Sequence, residues 1–377
     1  MLSSLEMTFQ TYIWILLPEL KFLVFLFLVF VGVIMSFEGK KILVTGVCGT
    51  IGSALVHALL SDEYGPGVNV VGIDINESEI FYLANQYKDL GSAKFRLIDI
   101  RDRDALVKVF KGVNIVIHAA ALKHVAICED NPDEMLQTNL LGVRNVIHAA
   151  NINRVEKVVF TSSDKAVNPS SNMGASKLVG EGLIRSASKE AGAEGPIFAS
   201  TRFGNVLGSR GSVIPIFLRQ IQEKSPLTLT HKEMTRFVMG IDQAVTLVLD
   251  SVSLARGGEI FVTKMPILAV LGLAEVMLNH FAAMDVGIKE IGIKPGEKLY
   301  EELMTEPESQ RAIELEKYFV IFPSEDRVNT ASETDYGQIV ARELKGQYNS
   351  HLGPFMTHGE ILAFLKSNDL LSFDGVS

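Results

Sequence analysis

An acid and a base stand side by side at Asp164 and Lys165, with the hydroxyl of Ser163 before them and a second lysine, Lys177, downstream. A carboxyl next to an amine at the end of a buried strand can move protons in opposite senses, which suits the removal of water from a substrate. Met173 precedes Lys177 by one helical turn and shares its face. A thioether cannot move a proton, so Met173 in this setting either shapes the site or merely packs. An Asp-Lys pair can also lie idle on a solvated loop, and the residues around it must decide.

Those residues alternate between short β-branched runs and helical stretches. Strands are expected at 42–45, 68–73, 95–98, 113–117 and 157–161, and helices at 51–60, 133–151 and 175–191. Such alternation predicts an α/β fold, a doubly wound parallel sheet of the Rossmann type. The last strand ends just before Ser163, placing the acid and base at the edge where ligands bind in such sheets. Past Arg202 the pattern loosens into Gly- and Pro-containing loops at 208–215 and 294–296, as expected of a smaller C-terminal substrate-binding portion. The organisation expected is a hydrophobic segment over 1–35, an NAD-binding domain over 36–204, a substrate-binding portion over 205–330 and a helical tail over 331–377. Thr357 and Glu360 have the spacing of a capping box that opens a late helix.

The dinucleotide assignment rests on Gly46, Gly49 and Gly52, which come directly after the first strand and open the first helix. Glycines there permit a tight turn and bring backbone N–H groups to a pyrophosphate at the positive helix end. Thr50 and Ile51 fall in the same turn. Asp74 closes the second strand, where a carboxylate accepts from the adenosine ribose and repels a 2′-phosphate, favouring NAD over NADP. Asp99 and Ile100 after the third strand would flank the adenine, and Ala119 and Ala120 come after the fourth.

Composition sets the outer bounds. The chain has 377 residues and a formal net charge of -9, which argues against nucleic acid as the main partner. Its two cysteines, Cys48 and Cys128, indicate no disulfide framework and have no metal-ligand spacing. No His/Cys cluster suits a metal, so an organic cofactor is expected to carry the chemistry. Residues 12–35 are largely apolar but interrupted by Glu19 and Lys21. They read either as a membrane anchor or as an extension from a start site upstream of Met35. Lys40 and Lys41 would keep the catalytic part of the chain on the cytoplasmic side.

Taken together, the motifs resemble one family. Besides the glycines, they are the run from His118 to Val125 and the run from Ser162 to Pro169. Met173-x-x-x-Lys177, the run from Arg202 to Ser209, Glu233 to Phe237 and Pro295-Gly296-Glu297-Lys298 complete the set. Over roughly 40–323 the chain resembles the extended short-chain dehydrogenase/reductases. Within them it is similar to the CapD-like polysaccharide-biosynthesis proteins, which include UDP-N-acetylglucosamine 4,6-dehydratases. Two positions depart from the wider pattern. Methionine stands at 173 where most of the superfamily has tyrosine, as in one branch of these dehydratases. Lys294 stands where arginine is common, keeping the charge but losing the bidentate fork.

The resemblance implies NAD, a UDP-sugar substrate, a homo-oligomer paired through the helices at 133–151 and 175–191, and a cytoplasmic enzyme anchored or not to the inner membrane face. It implies that Lys165 takes the proton from sugar carbon 5 and that Asp164 protonates the oxygen leaving carbon 6. Those roles require the pKa of Lys165 lowered and that of Asp164 raised. Burial and the Lys177 cation would depress Lys165, while that cation opposes the rise at Asp164. Lys177 would hold the nicotinamide ribose. With no tyrosine, Ser163 or Asp164 becomes the base for the 4-hydroxyl. Lys123 and His124 would lie beside the sugar. Asn205, Ser212, Val213, Arg236, Lys294 and Glu297 would contact the nucleotide and diphosphate. The alternatives are a UDP-sugar 4-epimerase, which Met173 argues against, and a non-catalytic NAD-bound sensor or scaffold, which would not need Asp164, Lys165 and Lys177.

Overall fold

Except for the largely exposed edge strand at Ala93–Leu97, the apolar runs become strands buried on both faces, as parallel sheets require. In this computed structural model, which describes residues 37–373 apart from 62, 343 and 345, they are β1 (Lys41–Thr45), β2 (Asn69–Asp74), β3 (Ala93–Leu97), β4 (Ile115–His118), β5 (Lys157–Thr161) and β6 (Ile197–Arg202). They lie in the order β3-β2-β1-β4-β5-β6, every neighbouring pair parallel. This is the Rossmann-type doubly wound sheet that the sequence pattern predicts. The order reverses between β1 and β4, which opens a crevice beyond their carboxyl ends.

Chain beyond residue 204 returns to this sheet. Ile260–Thr263 pairs in parallel with β6, and Tyr318–Ile321, Ala312–Leu315 and Ile339–Ala341 extend it antiparallel to ten strands. Alternation along β1 sends Val44 to one apolar cluster with Leu55, Leu247 and Val248, and Leu43 to another with Val71, Phe110 and Val116. A third cluster around Phe217, Leu273, Met277, Ile361 and Leu365 holds the C-terminal elements together. The expected late helix is present at His358–Ser367, with the Thr357/Glu360 box formed.

Two local departures bear on the site. The helix expected at 133–151 is divided into Pro132–Met135, a π-helical turn at Leu136–Leu141 and α2 (Gly142–Asn153), α1 being Thr50–Leu59. Within the π turn, buried Asn139 accepts from Leu122 N at 2.8 Å and donates to Leu122 O and to Ser176 Oγ. It thereby ties the loop after β4 to α3 (Asn172–Ala191), and a π turn is a common device for such functional placement. The second departure is at 213–215, expected as loop. Val213–Gln222 forms α4, and Pro215 sits in its first turn, where a missing N–H costs nothing. The apolar run at 12–35 lies outside the described residues. Among those described, no helix is long and apolar enough to cross a membrane.

Candidate active site

Backbone packing makes the nucleotide end of the site. Gly46 has φ +71°, and a Cβ there would stand 2.7 Å from the backbone of Ala120, so only glycine lets β1 turn against the loop after β4. A Cβ at Gly52 would lie 2.2 Å from Gly46 O, which requires the third glycine as well. Thr45 Oγ1 braces the same corner through His118 Nδ1 at 2.6 Å and Ala120 N at 3.1 Å. α1 starts at Gly49 with no side-chain cap and no acidic residue in its first turn, leaving N–H groups and a positive dipole end for an anion.

Asp74 is held for recognition by the backbone. Its Oδ2 accepts from Cys48 N at 3.0 Å and its Oδ1 from Ile75 N and Asn76 N. A crevice of about 570 Å³ is lined by Gly46, Gly49, Asp74, Asp99, Ile100, Ala119 and Ala120 among others. Thr50, Ile51 and Gly52 occupy the first turn of α1 beside it. Asp99 is engaged by Arg101 in a 2.7 Å ion pair. Burial pushes its carboxyl up, but the hydrogen bonds and charge of Arg101 outweigh that and hold it low.

Ser163, Asp164 and Lys165 sit just past the end of β5. Ser163 caps a single 3-10 turn, Asp164–Ala166, accepting from Lys165 N. Its hydroxyl donates to Asp164 Oδ1 at 2.7 Å, and Lys165 Nζ reaches that same oxygen at 3.0 Å. Asp164 is fully buried and its Oδ2 has no partner among the described residues. The turn packs tightly on α3, since a Cβ at Gly174 would fall 2.3 Å from Lys165 O.

A second carboxylate, which no sequence motif singles out, completes the cluster. Glu301 Oε1 lies 3.5 Å from Lys165 Nζ and 3.9 Å from Arg236 Nε, while Oε2 is buried and unpartnered among the described residues. This corrects the expectation for Lys165. Burial lowers its pKa, but Asp164 and Glu301 together outweigh burial and raise it. Glu301 itself is raised, chiefly by burial and further by Asp164, against the pull of Lys165. The signal available in the sequence was the pair Glu301-Glu302 just after Pro295-Gly296-Glu297-Lys298. Its weakness was that acidic pairs usually face solvent.

Lys177 and Met173 depart from their expected neighbours. Lys177 Nζ donates to Thr161 O at 2.8 Å and lies 4.7 Å over the Phe160 ring. Burial brings its pKa down to about 8, with Glu181 and Cys128 opposing. Its charge acts on His118, adding to the burial that pushes that imidazole down to about 3, rather than on Lys165. Met173 is buried against Cys128, Met135, Leu122 and Val125. The sequence allows two readings for Met173, shaping the site or packing, and its side chain is part of a small apolar plug.

The remaining candidates lie on the loop after β4 and on C-terminal elements. Lys123 Nζ donates to Arg210 O, and burial lowers its pKa with help from Arg210. His124 packs against Gly211, and burial lowers its pKa also. Asn205 Oδ1 and Ser212 Oγ are buried without partners among the described residues, as groups awaiting a ligand would be. Val213 opens α4 right after Ser212. Arg236 is used differently from expectation. Its guanidinium donates to Thr235 O, Lys298 O and Leu299 O, pinning the loop that carries Glu301. Lys294 and Glu297 bond one another in the adjoining turn, whose Gly296 O accepts from Ser170 Oγ.

Fold and site together define an extended Rossmann-type dehydrogenase/reductase scaffold with a charge cluster of Asp164, Lys165 and Glu301 past the carboxyl end of β5. The chain belongs to the family described as polysaccharide biosynthesis protein, whose model matches residues 42–323. It is 43% identical over 338 residues to an uncharacterised membrane protein of Methanocaldococcus jannaschii, covering 88% of this chain and 96% of that one. A UDP-N-acetylglucosamine 4,6-dehydratase (inverting) of Campylobacter jejuni is 38% identical, over 82% of this chain and 90% of its own. A UDP-glucose 4-epimerase of Rickettsia bellii is 38% identical as well, over 76% and 83%. Among solved structures, Pen from Bacillus thuringiensis superposes with TM-score 0.82 at 38% identity, covering 90% of this chain and all of that one. The fold is also that of a dTDP-glucose 4,6-dehydratase from Streptomyces venezuelae solved with NAD, at TM-score 0.63 and 23% identity over 69% of this chain and 87% of that one.

Proposed function

We propose that the protein is an NAD-dependent sugar-nucleotide 4,6-dehydratase, acting on UDP-N-acetylglucosamine or a close relative in surface-polysaccharide or rare-sugar synthesis. The observation that carries this is the Asp164–Lys165 contact of 3.0 Å just past the carboxyl end of β5, on the sheet edge where β1 and β4 open the crevice, with Met173 packed where a proton-moving tyrosine would otherwise serve. The donor set suits NAD: open N–H groups at α1, the close-packed glycines between strand and helix, and the Asp74 carboxylate. Bound there, NAD would supply a reversible hydride acceptor.

The chain's own groups do the rest. Transfer of one proton along the existing hydrogen bond from Lys165 to Asp164 turns an ion pair into a neutral amine and a carboxylic acid. The amine can then take a carbon-bound proton and the acid can protonate a leaving hydroxyl. Ser163, bonded to the same Asp164 oxygen, holds that carboxyl in the orientation from which it can protonate the leaving hydroxyl. Burial of Asp164 keeps water from competing. Lys123, His124, Asn205, Ser212, Val213, Lys294 and Glu297 would hold the nucleotide sugar, and Arg236 would brace the loop behind it.

A second reading, a UDP-glucose 4-epimerase, has the Rickettsia relatives in its favour. The test is to incubate the full chain with UDP-N-acetylglucosamine and UDP-glucose in turn and weigh the products. A dehydratase yields a product lighter by one water. Unchanged mass with a new configuration at carbon 4 would replace the reading by the epimerase.

A further inference from the structure

The charge cluster around Lys165 has one more member than the dehydration requires. Asp164 and Lys165 suffice as acid and base, yet Glu301 comes in from a different part of the chain and meets the same ammonium at 3.5 Å. Its side chain is only 3% exposed, and burying a carboxylate without full hydrogen bonding is costly. Its Oε2 has no partner among the described residues. Arg236 and Lys298, which also act on it, belong to its own loop and the strand beneath. The loop is locked by several contacts: Lys298 Nζ to Val167 O, Ser170 Oγ to Gly296 O, Ser350 Oγ accepting from Glu301 N, and Arg236 to two carbonyls. A carboxylate held so firmly at this cost is placed rather than tolerated.

We propose that Glu301 is a positioning residue acting through Lys165: it fixes the amine against Asp164 and biases the proton shared by that pair toward Lys165. The inference rests on the dehydratase reading. Lys165 faces Asp164, Glu301 and Arg236, and Glu301 faces Lys165, Asp164, Arg236 and Lys298. With Glu301 ionised, two anions hold the ammonium and the amine is scarce. With Glu301 protonated, one anion remains and transfer of the Lys165 proton to Asp164 becomes easier. No proton enters or leaves the pair in that transfer: the N–H bond of Lys165 breaks as the O–H bond of Asp164 forms. Burial raises the Glu301 carboxyl, which brings its own protonation nearer to working pH.

Glu301→Gln should therefore move the ascending limb of the kcat/KM profile toward acid by about one pH unit or more, as loss of an anion near 3.5 Å from an amine demands. It should also lower the maximal kcat about tenfold or more through lost positioning, with KM and NAD affinity within about threefold. Glu301→Asp keeps the charge, so its limb should stay with the wild type although kcat falls. Should the glutamine variant turn over too slowly for a profile, the pH dependence of Lys165 acylation by acetic anhydride, read by peptide mass, reports the same shift without catalysis. If that variant fails to fold, Glu301→Asp and the wild type carry the comparison: an aspartate limb displaced like that of a charge-free site overturns the proposal.

Outcomes separate cleanly. Wild-type protein that releases water, with a glutamine variant whose limb and acylation pKa match the wild type, overturns the role of Glu301 alone. Wild-type protein that epimerises without releasing water overturns the dehydratase reading, and this inference with it.

Discussion

Two buried clusters in this molecule are built from the same ingredients, a cation between two carboxylates, and they behave in opposite ways. Around Arg202 every group is matched. Its guanidinium forks onto Glu181 at 2.8 and 2.7 Å, reaches both oxygens of Glu308 and adds Leu303 O. No atom of the three charged side chains is left without a partner among the described residues. Burial lowers the pKa of Arg202, but its two glutamates overcome this and raise it far above the ordinary value. Around Lys165 the cation is a single point charge, and Asp164 Oδ2 and Glu301 Oε2 are both orphaned among the described residues. The first cluster is closed and locks β6 to α3 and to the turn at Glu306–Ser309. The second reaches the surface only through the partly exposed Lys165. A satisfied buried network holds a fold, whereas a partly satisfied one keeps charge free for a ligand or a proton.

The comparison is broken most directly at its two cations. Lys165→Ala should cut turnover per folded molecule roughly a thousandfold, within the usual range for a lost acid-base group, with NAD affinity near the wild type, and should also lower the melting temperature because buried Asp164 and Glu301 lose their cation. Steady-state kinetics beside a thermal melt and a cofactor titration check this. Arg202→Ala should lower stability without that loss of turnover. Stranding Glu181 and Glu308 costs about 3–5 kcal/mol of stability, seen as a lower urea midpoint, with turnover per folded molecule retained.

Smaller effects sharpen the contrast. Lys177 has a folded pKa depressed to about 8, below its unfolded value, so the unfolded chain binds more protons between about pH 8 and 10.5. Stability should therefore rise with pH across that window in the wild type, and Lys177→Met should remove that part of the rise. Denaturant titrations at pH 8 and pH 10 measure it. Met173→Leu conserves volume in the plug with Cys128 and Met135, so stability should fall by less than about 1.5 kcal/mol and turnover should stay within a few-fold. A large loss of turnover there would mean that the thioether does more than pack.

How much of this is legible in the sequence differs between the two ends of the site. The nucleotide end is, because backbone demands are written locally: Gly46 and Gly52 have no room for a Cβ, Gly49 has little, and Asp74 closes its strand within the same unit. The acid-base pair is legible because Asp164 and Lys165 are neighbours in the chain. Glu301 is not, since it reaches Lys165 only through the fold, by way of a loop whose docking on Val167, Ser170 and Arg236 has no local signature. Against the lowering by burial, the upward shift of Lys165 comes first from its chain neighbour Asp164 and then from Glu301, and only the second contribution escapes the sequence. The π turn at Leu136–Leu141 is hidden too, since its sequence reads as continuous helix.

The Lys165 cluster is tested most directly by tracking carbon 5 of the sugar in heavy water. The wild-type protein should convert UDP-N-acetylglucosamine to a product lacking one water and carrying solvent deuterium at carbon 5, and Lys165→Ala should abolish that deuterium uptake while still binding NAD. Deuterium uptake that survives in Lys165→Ala, or a product of unchanged mass altered only at carbon 4, would contradict the account.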